Sequence, residues 1–248
     1  MKLTHKLCGA ALVAVAGVAM TVPNTTKAAD DSKTGTGHVA FTSTTNTGMS
    51  DPGSSSGSTI TDSSITDPGA FGIRFVTPLE FGSHDALTSS ARSDYPVELY
   101  SANEGNADEF DVQNFVAFQD FRAEQDHSYK LSAAITQQFK TTAGTFLKGA
   151  DITYKNLWVS NNGADTALDP TGIAAGAVAL EGSDDATPGN SVSFITNSDT
   201  TGKGYGKYEL NFGTKDNGTD SVTLTIPTST VKNGDYNAVI TWTLSDTI

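Results

Sequence analysis

Cysteine is almost absent from this sequence: the single one, Cys8, lies among the first residues. Everything after it folds without a disulfide, and has neither a thiol nucleophile nor a cysteine-ligated metal. Histidine is nearly as scarce, with only His38, His84 and His127 beyond His5. None has the spacing of a zinc pair, and neither His-Glu-x-x-His nor Gly-x-Ser-x-Gly occurs. His84-Asp85 and Asp126-His127 adjoin in sequence, but neighbours on a strand point to opposite faces, so they read as exposed loop histidines. Positive charge is short too, with 15 Lys and Arg against 28 Asp and Glu and a formal net charge of −13. A nucleic-acid partner needs concentrated Lys and Arg and is excluded. Adhesion to an anionic surface by charge alone is excluded as well.

The one long apolar run comes early. Lys2 and Lys6 precede "LCGAALVAVAGVAM" (residues 7–20), which is short for a membrane span and fits a signal-peptide core. Thr26-Lys27-Ala28 places small residues at −3 and −1, so residues 1–28 are expected to be a signal peptide cleaved after Ala28. Cys8 follows His-Lys-Leu rather than an apolar-small-small triplet, which argues against a lipoprotein anchor. Removing Lys2, Lys6 and Lys27 leaves 12 basic residues against 28 acidic ones, a net −16 for the mature chain. Residues 29–248 are enough for one sizeable β domain or two small ones, with no membrane span expected in them.

Residues 30–70 are built almost wholly of Gly, Ser, Thr, Asp and Pro. Such a tract cannot bury enough surface to fold alone. The expectation is a short first strand at His38–Thr42 and a flexible loop over 43–69, with Asp51-Pro52-Gly53 and Asp67-Pro68-Gly69 as turns. From Phe71 onward period 2 takes over. "YKLSAAIT" puts Tyr129, Leu131, Ala133 and Ile135 on one face; Tyr208, Leu210 and Phe212 share another, as do Val222, Leu224 and Ile226. The longest alternation is Tyr236, Ala238, Ile240, Trp242 and Leu244. This is the mark of strands with one buried face. Asn-Gly pairs at 162–163, 217–218 and 233–234 read as turns between strands. "QNFVAFQDFRAEQ" fits a helix face about as well as a strand; the surrounding strands favour a strand. Residues 169–191 are small and loop-like. The sum is an all-β, single-domain sandwich, Ig-like or Greek-key-like, with a long polar loop near its N-terminus.

Little in the sequence suggests catalysis. Glu104, Asp108, Glu109 and Asp111 cluster, as do Asp120, Glu124 and Asp126. A glycosidase needs two carboxylates roughly 5–10 Å apart across a cleft, which sequence does not reveal. No Asp-x-Asp-x-Asp-Gly pattern supports a calcium loop. The clusters read as solvated loops, so no catalytic residue, metal or cofactor is expected. Trp158 and Trp242 are the only tryptophans. Alternation makes them core, although an indole also suits a binding surface.

The final strand carries a resemblance. Tyr236-x-x-x-Ile240-Thr241-Trp242-Thr243-Leu244 resembles the distal motif of the WxL-domain surface proteins of low-GC Gram-positive bacteria. "DPGAFGIRFVTPLEFG", "FLKGADITYKN", "GYGKYELNFG" and "SVTLTIPTST" are similar to other stretches of that family, in the same order. Where the family carries its first Trp-x-Leu, this chain has Tyr129-Lys130-Leu131, and where a closing proline is expected it has Ile248. The resemblance implies a secreted, non-enzymatic protein held non-covalently on the cell wall through peptidoglycan. It also implies work in a complex with other WxL proteins and a membrane-anchored WxL-interacting protein. The expected contact residues are the motif positions Tyr129, Leu131, Tyr236, Thr241, Trp242 and Leu244. A rival expectation is a structural or adhesive subunit that reaches the wall only through a partner, by strand pairing; a secreted polysaccharide-active enzyme is the other.

Overall fold

Alternating apolar residues with turn residues between them should give short antiparallel strands, and the computed structural model has them. It describes residues 49–53, 57–86, 94–124, 126–161, 165–198, 200–227 and 231–248, all within the unit Thr44–Ile248. The expected signal peptide and the strand at His38–Thr42 lie outside the described residues. The strands are β1 (Met49–Ser50), β2 (Thr59–Ile60), β3 (Phe71–Val76), β4 (Asp94–Pro96) and β5 (Tyr100–Ala102). They continue with β6 (Phe110–Val112), β7 (Phe115–Asp120), β8 (Tyr129–Lys140), β9 (Asp151–Tyr154) and β10 (Leu157–Ser160). The last are β11 (Val178–Leu180), β12 (Val192–Asn197), β13 (Gly206–Phe212), β14 (Val222–Thr225) and β15 (Asn237–Ser245).

Three sheets make the body. The first has the order β10-β13-β7-β3, the second β11-β9-β14-β4 and the third β12-β8-β15; all the pairings are antiparallel. One face of the first sheet offers Val116, Phe118, Leu210 and Phe212. Against them pack Ile152, Tyr154 and Leu224 from the second sheet, and Leu131, Ile135 and Phe194 from the third. The protein is therefore an all-β sandwich, and these side chains bury the largest share of its apolar surface.

The other face of the first sheet has a smaller core. Phe75, Phe115 and Ala117 meet Met49 and Ile60 of the β1–β2 hairpin and Tyr100, Ala102 and Val112 of the β5–β6 hairpin. Both faces of β7 are thus apolar contacts, and all six of its residues are buried. That explains the ambiguous pattern of "NFVAFQDF": a strand buried on both sides has no polar face to show period 2. Its strand expectation is met.

The tract expected to be a flexible loop over 43–69 needs correction where it is described. Met49 and Ile60, two apolar residues in a polar stretch, pair across β1–β2 and are fully enclosed. Side chains from distant strands hold the two Asp-Pro-Gly turns. Gln113 Nε2 donates to the Pro52 carbonyl (3.1 Å) and to Asn211 Oδ1 (3.0 Å). Gln119 Nε2 donates to Asp67 Oδ1 (3.0 Å) and to the Gly69 carbonyl. Trp158 lies against the first turn, where a Cβ on Gly53 would sit 2.7 Å from the indole, and Gly53 has φ +76°. Its Nε1 donates to the Gly213 carbonyl at 2.6 Å. The region 169–191 also departs from a plain loop, since it supplies β11, paired with β9, and an Ile173–Ile195 bridge.

Candidate functional site

β8 and β15 pair so that Leu131 faces Leu244, Ala133 faces Trp242 and Ile135 faces Ile240. Because side chains alternate across a strand, this register gathers the apolar motif residues on the inner face of the third sheet. Tyr129 and Leu131 are wholly enclosed there, at 0% exposure. Trp242, Leu244 and Tyr236 are half-buried on the same side, and Thr241 is exposed on the opposite face. The two motif segments are brought together, but Tyr129 and Leu131 have no surface left for a ligand.

Trp242 belongs to a group of aromatic rings. Its centroid lies 4.6 Å from Phe194, 5.9 Å from Tyr154 edge-on and 5.9 Å from Phe212, stacked. Tyr129 packs edge-on to Phe118 at 5.7 Å and tilted to Phe71 at 6.3 Å. Its hydroxyl is buried without a hydrogen-bond partner, and that burial pushes its pKa well above the usual tyrosine value. Gly204 allows the close fit, since a Cβ there would come within 2.9 Å of Tyr129 Cε1 and its φ is +96°.

A buried ion cluster adjoins Tyr129. Arg122 donates from Nη2 to Asp120 Oδ2 at 2.8 Å and from Nε to Oδ1 at 3.0 Å. His127 Nδ1 lies 3.1 Å from the same carboxylate. Burial works against ionising Asp120, but the Arg122 bonds and charge, aided by His127, outweigh it and hold the carboxyl below its usual range. Arg122 also sits 4.3 Å over the Phe71 ring. His127 is therefore not the exposed loop histidine expected from sequence: it is 4% exposed and its ring packs beside Tyr205. Asp120 is fully enclosed, so the cluster clips the end of β7 to the segment entering β8 rather than facing a substrate. Among the described residues, no group of three or more His, Cys, Asp or Glu is placed to hold a metal.

Two surfaces flank the motif. On the inner side, a cleft of about 990 Å³ opens beside Trp242. Its apolar lining comes from the stretch after β3 (Leu79, Phe81), from Phe139 and Leu147, and from Ile240 and Trp242. On the outer side the third sheet presents hydroxyls. Ser193, Ser132 and Thr243 are cross-strand neighbours in one row, of which Thr243 is exposed, Ser193 half-buried and Ser132 buried, and Thr241 lies exposed opposite Ala134 in the next. Thr136 Oγ1 and Thr241 Oγ1 lie 2.7 Å apart.

None of the 28 acidic residues of the chain falls in β8, β12 or β15, where Lys130 and Lys140 are the only charges. The expected motif positions included Thr241 but not its outer-face neighbours Thr243 and Thr136. The signal that could have found them is this gap in an otherwise acidic chain. Among the described residues no helix is long and apolar enough to cross a membrane.

Neither the curated proteins nor the solved structures contain a match to this chain. The family model described as "WxL domain surface cell wall-binding" matches residues 28–247, and the chain belongs to that family of cell wall-binding surface proteins.

Proposed function

We propose that this protein attaches directly and non-covalently to peptidoglycan through the outer face of its third sheet, without catalysis. In this reading it serves within a surface complex that includes other WxL proteins and a membrane-anchored WxL-interacting protein. The observation that carries the reading is the absence of carboxylates from β8, β12 and β15 in a member of a wall-binding family. A chain of net charge −13 is repelled by an anionic wall as a whole. At physiological ionic strength repulsion is screened beyond about 8 Å, so the contact face itself has to be free of carboxylates. The exposed hydroxyls of Thr241 and Thr243, with Thr136 beside them, suit the hydroxyl and amide groups of a glycan-peptide polymer. Tyr129, Leu131, Trp242 and Leu244 act from beneath, fixing the two strands that carry those hydroxyls.

The test is co-sedimentation of the pure protein with peptidoglycan stripped of protein and teichoic acid. Thr241→Glu with Thr243→Glu puts two carboxylates on the face and leaves the core alone. Retention should drop severalfold at an unchanged melting temperature, and the unaltered protein should bind as well or better when salt rises. Retention unaffected by the two glutamates would refute this contact face. Retention that needs an added surface protein would refute direct attachment.

A further inference from the structure

The residue between Tyr129 and Leu131 faces the other way from both. Its neighbours are wholly enclosed, so alternation turns Lys130 to the outer face, where it is half-buried. β8 runs between β12 and β15, and Lys130 is paired with Thr196 on one side and Ser245 on the other. The next row holds Ser193 and the exposed Thr243. Ser193 Oγ and Thr196 Oγ1 lie 2.9 Å apart. One ammonium therefore stands among hydroxyls, on a backbone held by strand pairing and by two core side chains.

The usual reasons for a lysine on a sheet do not apply to it. Lysine on an edge strand deters unwanted pairing, but β8 is the middle strand of its sheet. Solubility does not call for it either, because one positive charge reduces the net charge of an acidic chain. A lysine may also answer a nearby carboxylate. Among the described residues, however, none lies within ion-pair distance of Lys130. Asp126 and Asp246, which flank the paired segments, exert their attraction on Arg122 instead. The ammonium is left for an anion from outside.

Peptidoglycan offers one kind of anion. Its N-acetylated sugars are uncharged once the peptide stems are attached, and its carboxylates sit on those stems. A teichoic acid is a string of phosphates and calls for a row of cations, whereas β8, β12 and β15 carry only Lys130 and Lys140, at opposite ends of β8. We propose, resting on the direct attachment argued above, that Lys130 binds a carboxylate of a peptide stem. The ammonium supplies a charge-assisted hydrogen bond. The hydroxyls of Thr196, Ser245 and Thr243 both donate and accept, which suits the carboxylate and the amides beside it. The outer face thus selects the peptide part of the polymer, not the sugar. One ion pair against a net charge of −13 leaves the overall response to salt governed by repulsion.

The test compares the unaltered protein, Lys130→Gln and Lys140→Gln on three walls at low ionic strength. The walls are peptidoglycan stripped of teichoic acid, the same material with its carboxylates capped as methylamides, and wall that keeps its teichoic acid. On stripped peptidoglycan Lys130→Gln should be retained about three- to fivefold less, at an unchanged melting temperature. Lys140→Gln makes the same change of charge at the far end of β8 and should stay near the unaltered protein. Capping removes wall charge and raises retention generally, so the ratio of unaltered protein to Lys130→Gln is the readout; on capped wall it should fall to about one. Full retention of Lys130→Gln, an equal loss with Lys140→Gln, or a ratio that capping leaves unchanged would overturn the proposal. A ratio above that of the control only on wall with teichoic acid would also overturn it, in favour of phosphate. Failure of the unaltered protein to bind stripped peptidoglycan would refute direct attachment and this proposal with it, whereas equal binding of unaltered protein and Lys130→Gln refutes this proposal alone.

Discussion

Replacing Trp242 by alanine separates support from contact. The indole touches three rings, Phe194, Tyr154 and Phe212, at centroid distances of 4.6 to 5.9 Å. Truncating a fully buried Phe or Trp costs about 3–5 kcal/mol, and each aromatic pair adds about 0.5–1.5 kcal/mol. Trp242 keeps part of its surface at the cleft, which lowers the transfer share, so the expected loss is about 2–4 kcal/mol. For a domain of this size that corresponds to a fall in melting temperature of roughly 4–16 °C. A net stability of about 5–15 kcal/mol leaves the variant folded at 25 °C. Melting is followed by circular dichroism, and retention on peptidoglycan is measured at 25 °C on the same sample. Trp242→Phe should recover most of the stability. Retention should stay near that of the unaltered protein, because the outer face is intact. A melting temperature that barely moves, together with lost retention, would refute this reasoning and make the indole a ligand contact.

Tyr129→Phe should be neutral or stabilising, by up to about 1 kcal/mol, because it removes a buried hydroxyl that has no partner; a loss above that in urea unfolding would show that the hydroxyl is satisfied. Ile60→Ala, deep in the smaller core, should cost about 2–5 kcal/mol, and a variant as stable as the original would return residues 49–60 to the status of a dispensable loop. Burial raises the pKa values of Tyr129, Tyr154 and Tyr208, so the folded state holds these protons more tightly than the unfolded chain does. Their contribution is complete below about pH 10 and is lost as pH rises further, so the urea midpoint should fall steeply as pH rises above about 10. Asp120 behaves in the opposite sense: its depressed carboxyl contributes above about pH 4 and is lost on acidification, with Asp120→Asn flattening that acid limb.

What the sequence disclosed, and what it hid, follows from how far each interaction reaches along the chain. β14 and β15 bury one face each, and β8 and β13, though covered on both sides, keep their large apolar residues on one, so the alternation was legible residue by residue. The same alternation placed Trp242 and Leu244 on the core side. β11 was missed because only Val178 and Leu180 carry its pattern. Residues 49–69 looked featureless because their fixings are supplied from elsewhere. Gln113 reaches Pro52 across 61 positions and Gln119 reaches Asp67 across 52, and no local pattern announces either. Asp120 and His127 are only seven residues apart, yet a turn had to fold before they could meet. The motif resemblance identified the family, while the side of the sheet free to touch a ligand became clear only from the pairing of Leu131 with Leu244 and Ala133 with Trp242.

The double burial of β7 has a consequence for how the molecule opens. Amide exchange proceeds through local, partial or global opening, each with its own free energy. If the β1–β2 and β5–β6 hairpins lift away, β7 loses one cover but stays bonded to β3 and β13 and packed on the larger core through Val116 and Phe118. Its amides can then exchange only when the whole sandwich comes apart. The outer hairpins, held by Met49, Ile60 and the glutamine bonds, can exchange through a smaller excursion. Deuterium uptake should therefore fall into two tiers, with Val116 to Phe118 the slowest, so that β7 works as the keel on which both layers are laid.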